Sequence, residues 1–148
     1  MRRMIGVLPV FLLLFVAAEA VSAQDTGRPA SSQQESGFEL RDNYPNPFNP
    51  ETTIPFVLHE GLFVDGRPAV VSIRIFNLLE QLQASPVALG HSSGEGVELI
   101  GLEYLQPGTY EAFWDGTDQM GRQVASGSYF VLLTVNGRSK LAGITVMK

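Results

Sequence analysis

Tyr129-Phe130-Val131-Leu132-Leu133-Thr134-Val135-Asn136-Gly137-Arg138-Ser139-Lys140-Leu141-Ala142-Gly143-Ile144-Thr145-Val146-Met147 is the stretch that decides the fold. Two apolar runs, Tyr129 to Val135 and Leu141 to Met147, flank the pair Asn136-Gly137. A two-residue hairpin turn needs positive φ at its central positions, which Asn tolerates and Gly adopts freely. The chain therefore closes on an antiparallel hairpin.

Working back from that hairpin, Ala69 to Phe76 sets Val71, Ile73 and Ile75 against Ser72 and Arg74. That period of two belongs to a strand with one face on a core and the other in water. Thr109 to Trp114 follows a turn at Pro107 and Gly108 and places Tyr110, Ala112 and Trp114 on one face, with Trp114 at the expected centre of the core. Thr52 to Leu58 is short and β-prone, and Pro55 within it predicts an edge or outer strand. Phe63 to Pro68, with Asp65 and Gly66 at its centre, reads as the turn joining that strand to Ala69–Phe76 in a second hairpin. Val97 to Leu102 reads as one more short strand after the polar, Gly-rich loop Ser92 to Gly96. Leu79 to Leu89 fits either a strand with a bend or a single helical turn. About seven short strands at roughly 8–12-residue intervals predict an all-β fold, an antiparallel Ig-like β-sandwich.

The N-terminal residues stand apart from this pattern. Arg2 and Arg3 precede an apolar run from Met4 to Ala18, and Val21-Ser22-Ala23 supplies small residues for cleavage, so residues 1–23 read as a secretory signal peptide. A membrane anchor needs about 20 apolar residues, and Glu19 interrupts this run too early, so no integral span is expected. Residues 24–37 are rich in Ser, Gln and Gly and read as a flexible leader; the folded domain is expected over 38–148. Of the 148 residues, 45% are hydrophobic and 17% charged, with 15 Gly and 9 Pro, which is one domain's worth of foldable, turn-rich chain. Cleavage removes two of ten basic and one of fifteen acidic residues, leaving a mature net charge of about −6. An acidic chain with scattered cations is a poor partner for a phosphate backbone, so nucleic acid is excluded. With no cysteine the exported domain has no disulfide and no thiol for a lipid anchor, and packing alone must hold it together.

Before the first long strand comes Asn43-Tyr44-Pro45-Asn46-Pro47-Phe48-Asn49-Pro50, in which three prolines forbid helix and the Asn side chains favour turns. With Glu51-Thr52-Thr53-Ile54 it resembles the opening signature of the type A C-terminal sorting domains of type IX secretion, which belong with the Ig-like domain of the flagellar hook-capping protein. The resemblance continues through Ile73-Arg74-Ile75-Phe76-Asn77, Pro107-Gly108-Thr109-Tyr110, Trp114-Asp115-Gly116-Thr117-Asp118, Gly121-Arg122 and Ala125-Ser126-Gly127-Ser128-Tyr129-Phe130. It ends on Lys140 and an apolar tail closed by Lys148, and it covers the chain from about Leu40 onward.

The resemblance implies an address. Such domains cross the inner membrane by their signal peptide and are recognised, folded, in the periplasm by an outer-membrane secretion translocon. They are usually removed after translocation, the cargo being released or fixed to surface lipopolysaccharide, so a surface-attachment peptidase is a second implied partner. The implied location is secreted or on the cell surface of a Gram-negative bacterium. Lys140, Leu141, Ile144, Val146 and Lys148 are the implied sorting-recognition residues, and Trp114, Asp115, Gly116, Gly121, Ser126, Gly127 and Tyr129 the implied structural ones. Only residues 24–37 precede the domain, so the chain is expected to be all sorting domain, a piece of a longer product, or a relative kept as an interaction module.

Three departures from the family pattern stand out. Glu80 stands where Gly is usual, which puts the tight turn after Asn77 in doubt, because a Cβ disfavours positive φ. The loops at Gly61–Pro68 and Gly90–Leu105 are longer than usual, and Ala142 and Gly143 make the tail atypical.

No catalytic, cofactor-binding or metal site is expected. Asp115-Gly116-Thr117-Asp118 lacks the spaced third ligand and the acid at the twelfth position of a calcium loop, and reads as a turn whose carboxylates cap backbone N–H groups. His59 and His91 have no nearby Ser, Cys or acidic pair arranged for nucleophilic or metal chemistry and read as solvated loop residues. Glu95, Glu98 and Glu103 read as the outward face of a short strand rather than a carboxylate pair. Tyr110, Trp114, Tyr129 and Phe130 could form a sugar platform, but their alternation favours burial.

Overall fold

The computed structural model describes residues 37–148. The expected signal peptide and all of the expected leader but Gly37 lie outside the described residues. Ten strands are formed among them: β1 (Phe38–Leu40), β2 (Thr52–Leu58), β3 (Ala69–Phe76), β4 (Leu82–Ala84), β5 (Val87–Leu89), β6 (Val97–Glu98), β7 (Leu102–Tyr104), β8 (Gly108–Trp114), β9 (Gly127–Val135) and β10 (Arg138–Val146). They build an all-β sandwich of two antiparallel sheets, the first ordered β1-β2-β8-β5-β6 and the second β10-β9-β3-β4, with β7 also pairing β3.

The C-terminal hairpin forms as its turn residues dictate. Asn136 and Gly137 adopt φ of 48° and 81°, and Arg138 pairs with Val135. Val71, Ile73 and Ile75 are fully buried from β3, side by side with Val135, Leu133 and Val131 of the adjacent β9 on the same core face. Trp114, Ala112 and Ile54 close that core from the first sheet.

The strand count is ten rather than about seven because Phe38–Leu40 adds β1 and two expected single elements each split in two, and one expected pairing also gives way to non-local packing. The hairpin expected between Thr52–Leu58 and Ala69–Phe76 does not form, since β2 and β3 lie in different sheets. Phe56 and Leu58 meet Val71 across the core instead of beside it, and the link crosses the layers through a 3-10 turn at Glu60–Leu62. The Phe63-to-Gly66 turn is present, with Gly66 N–H donating to the Phe63 carbonyl at 3.0 Å, but it serves this crossover.

Leu79–Leu89 resolves as a strand that bends. β4 pairs β3 in the second sheet, and after Ser85-Pro86 the chain resumes as β5 against β8 in the first. Val97–Leu102, expected as one strand, is two pieces on opposite sheets, β6 on β5 and β7 on β3. Leu99 is the pivot: its side chain is buried, its N–H donates to the Pro86 carbonyl at 2.9 Å, and its carbonyl accepts from Ile73 N–H at 2.9 Å. The crossover thereby satisfies the backbone it pulls out of either ladder.

Pro55 sits where its missing N–H costs least. β2 is an inner strand rather than the expected edge, with the long β8 on one side and β1 and Tyr44 on the other; Pro55 turns its backbone to the gap between these two, where its carbonyl accepts from Arg41 N–H at 3.0 Å. Glu80 keeps the tight turn despite its Cβ, at φ 59°. Asn77 makes this tolerable: its Oδ1 accepts from Leu79 N–H at 3.0 Å and Gln81 N–H at 2.9 Å, while its carbonyl accepts from Glu80 N–H at 3.0 Å.

Candidate functional site

The Asn/Pro motif, the loop after Trp114, the start of β9 and the end of β10 meet at one end of the sandwich, while Pro107–Tyr110 lies at the other end of β8. Asn43 is 5% exposed; its Nδ2 donates to Thr52 Oγ1 at 2.9 Å and to the Pro45 carbonyl at 3.1 Å, and Thr52 Oγ1 donates to that same carbonyl. These bonds clamp the start of the Asn/Pro motif to the start of β2. Tyr44 exchanges backbone hydrogen bonds with Thr53 at 2.9 Å and donates its phenol to the Glu111 carboxylate. Pro45, Asn46, Pro47, Asn49 and Pro50 are exposed around Phe48, which is buried.

Phe48 ties this motif to the end of the chain. Its N–H donates to the Thr145 carbonyl at 3.0 Å, and its carbonyl accepts from Met147 N–H at 2.9 Å, a parallel bridge to β10. The Phe48 ring meets Trp114 edge-on at 5.3 Å, and Trp114 meets Tyr129 at 5.9 Å. Three aromatic side chains from the motif, β8 and β9 thus pack where the two sheets end, in the edge-to-face geometry that ring quadrupoles favour.

The loop after Trp114 is organised by its own side chains. Trp114 Nε1 donates to the Thr117 carbonyl at 2.9 Å, and Asp115 Oδ1 accepts from Thr117 N–H at 2.9 Å. Asp118 Oδ1 accepts from the backbone N–H groups of Met120 and Arg122, and its Oδ2 meets the Arg122 guanidinium at 2.8 Å. The Arg122 N–H and guanidinium hold the Asp118 carboxyl below the usual carboxylate range. Both carboxylates are therefore turn-cappers. Gly116 has φ 75°, and a Cβ there would stand 2.2 Å from the Pro50 carbonyl oxygen, so only glycine lets the loop lie against the Asn/Pro motif. Gly121 also takes positive φ, at 76°, but in open space. Tyr129 donates its phenol to the Ala125 carbonyl at 2.8 Å, and Ser126 Oγ, just before Gly127 opens β9, accepts from Lys148 N–H at 3.1 Å.

The residues singled out in the tail divide by position. Ile144 and Val146 are buried core residues at 4% and 3% exposure. Leu141 and Lys148 are exposed, and Lys140 is half-buried with its ammonium 5.4 Å from the Phe38 ring. β10 is an edge strand: hairpin parity directs the backbone of Ser139, Leu141 and Gly143 away from β9. Phe48 occupies only the far end of that edge.

Among the described residues, no three His, Asp or Glu side chains gather where they could hold a metal ion, and no helix is long and apolar enough to cross a membrane. The histidines are tied down rather than merely solvated. His59 Nε2 meets the Glu39 carboxylate at 2.8 Å, and that contact is the main cause of the lowered Glu39 pKa. His91 Nε2 donates to the Glu103 carbonyl at 2.9 Å while Nδ1 accepts from Ser93 N–H. Glu95, Glu98 and Glu103 all face solvent, but from a loop, the first sheet and the second sheet in turn, not from one strand. Trp114 and Tyr129 are buried, whereas Tyr110 and Phe130 are only partly so. Sequence reasoning missed Phe48 as the pin between motif and tail, although one large aromatic among prolines and asparagines was a signal for it.

No protein-family model matches the chain, and no curated protein matches it in sequence. Solved structures similar to it include the two that follow. One is dimeric latent PorU from Porphyromonas gingivalis, with a TM-score of 0.49 and 18% identity over 74% of this chain. The other is PorZ, described as an essential bacterial surface component of the type-IX secretion system of the same organism, with a TM-score of 0.42 and 22% identity over 74% of this chain. This chain spans 9% of the PorU chain and 11% of the PorZ chain.

Proposed function

We propose that this chain is a non-catalytic secretion-targeting domain, exported by its signal peptide and recognised in the periplasm by the type IX secretion translocon for delivery to the outer surface. The observation that carries this reading is the Phe48 bridge. It joins the Asn/Pro motif and the C-terminal segment, the two ends of the resemblance, into one surface pinned over Trp114. A sorting signal read in the folded state needs such a rigid, surface-displayed patch. Lys148 is the accessible tail residue at that surface, Lys140 and Leu141 stand further back along the same strand toward the hairpin turn, and Ile144 and Val146 act by seating the strand.

Deleting Gly143–Lys148 would remove two core side chains, so the test uses surface changes instead. The variant Lys140→Glu/Leu141→Ser/Lys148→Glu should fold yet remain in the periplasm of a strain that has the secretion system. Its normal appearance outside the cell would overturn the reading.

A second reading is favoured by the open edge of β10: a structural or adhesive Ig-like module of the envelope that takes a partner strand along Ser139, Leu141 and Gly143. Pull-down from the envelope that returns only translocon components counts against it.

A further inference from the structure

The outer face of the first sheet carries a cross-strand row that ends in a free carboxylate. Val87 is in register with Phe113 on one side and Glu98 on the other. Ala88 and Ala112 point inward from the same strands, so Phe113, Val87 and Glu98 stand side by side on the outward face, about 5 Å apart per step. The Asp115–Gly121 loop and the neighbouring Ser85-Pro86 bend wall this row along one side. Together they form a groove of about 490 Å³.

The floor is apolar: Pro86, Val87, Ile100 and Phe113. Ile100 is 51% exposed, a large apolar side chain with nothing over it. Three carboxylates, Glu98, Asp115 and Asp118, also line the groove, and no basic residue does. Arg122 neutralises Asp118, but no cation among the described residues pairs with Glu98 or Asp115. Asp115 uses only Oδ1 in its turn, leaving Oδ2 free. The loop is fixed in advance, for Gln119 N–H donates to the Gln83 carbonyl at 2.9 Å and binds the loop to the bend, so an occupant need not order it.

We propose that this groove binds a lysine or arginine side chain presented by an extended segment of a partner protein. The aliphatic stem lies on Phe113 and Val87, as long basic side chains cover apolar surface, and the charged head meets the carboxylates of Glu98 and Asp115. Neither the Asn/Pro motif nor the tail contributes to the groove, so this assignment stands or falls apart from the secretion reading.

Trp114 is the single tryptophan of the chain and lines the groove, so its fluorescence reports on occupancy. The purified mature chain is titrated with two end-blocked pentapeptides, Ala-Leu-Arg-Leu-Ala and the same peptide with Glu for Arg. The Arg peptide should shift the Trp114 emission saturably and bind at least about tenfold more tightly than the Glu peptide, with the difference shrinking in high salt. Glu98→Gln, an exposed edge change, should weaken the Arg peptide several-fold, and Glu98→Gln/Asp115→Asn at least about tenfold, Asn preserving the turn bond. Equal binding of the two peptides, no binding of either at millimolar concentration, or undiminished binding by a Glu98→Gln protein with an unchanged melt would overturn the assignment.

Discussion

The Phe48 and Trp114 rings meet edge-on with centroids 5.3 Å apart, and the main chain of Phe48 is at the same time bonded to β10 through Thr145 and Met147. One residue thus couples the start of the domain, the aromatic end of the core and the last strand, so Trp114 closes the core at its end rather than occupying its expected centre. Phe48→Ala should destabilise the domain by about 3–5 kcal/mol, the range for truncating a buried aromatic. A urea melt followed by Trp114 emission reads this directly, and a loss under about 1 kcal/mol would contradict the role given to Phe48.

Gly116 and Gly121 make a paired test, since both take positive φ in the same loop and differ in their surroundings. Gly121→Ala should cost about 1–2 kcal/mol, the penalty of the left-handed backbone alone. Gly116→Ala adds a clash with the Pro50 carbonyl and should cost distinctly more. Equal losses in thermal melts would mean that the loop does not rest on the Asn/Pro motif.

Glu80→Gly should stabilise the domain by about 0.5–1 kcal/mol, because φ 59° is strained for Glu and free for Gly. The gain is bounded by the Asn77 bonds that already hold the turn and by the entropy glycine adds to the unfolded chain. A chemical melt showing destabilisation would place Glu80 in a contact beyond its backbone.

Tyr104 is buried between Phe56, Tyr110 and His91, with its hydroxyl lacking a partner. Burial, with a smaller contribution from Tyr110, pushes its pKa up to about 12, above the ordinary value of 10. The folded state therefore holds the proton more tightly than the unfolded one. Its contribution to stability is complete below pH 10 and is lost as pH rises from 10 to about 12. Of the four tyrosines, Tyr104 should ionise with the unfolding transition in an absorbance titration. Tyr104→Phe should flatten the alkaline loss without destabilising the protein at neutral pH, since it deletes an unsatisfied hydroxyl. An unchanged alkaline midpoint would contradict this.

How much of this was legible in the sequence depends on whether the information was local. Asn136-Gly137 announces its hairpin because the turn chemistry is contained in two residues, and Val71, Ile73 and Ile75 announce a core face because alternation is periodic. Whether two neighbouring strands pair or face each other is not local. Asp65-Gly66 looks the same in a hairpin as in the crossover from β2 to β3. Leu99 lies amid a run that reads as one strand, and only the positions of Pro86 and Ile73 in the folded chain make it a pivot. At Glu80 the propensity rule gave way to a neighbour's side chain, Asn77. In the candidate site, the Asp115 and Asp118 turns were readable from their spacing. Phe48 was not, because its partners lie about a hundred residues away in the chain.

The central claim is that the surface joining the Asn/Pro motif to the last strand is a secretion address. The most direct measurement fractionates a type IX-competent strain expressing the tagged chain, beside the Lys140→Glu/Leu141→Ser/Lys148→Glu variant shown by melting to be folded. Wild type should reach the outer surface or the medium, with the variant held in the periplasm. A wild-type chain that stays in the periplasm, or a folded variant that leaves as readily as wild type, would contradict it.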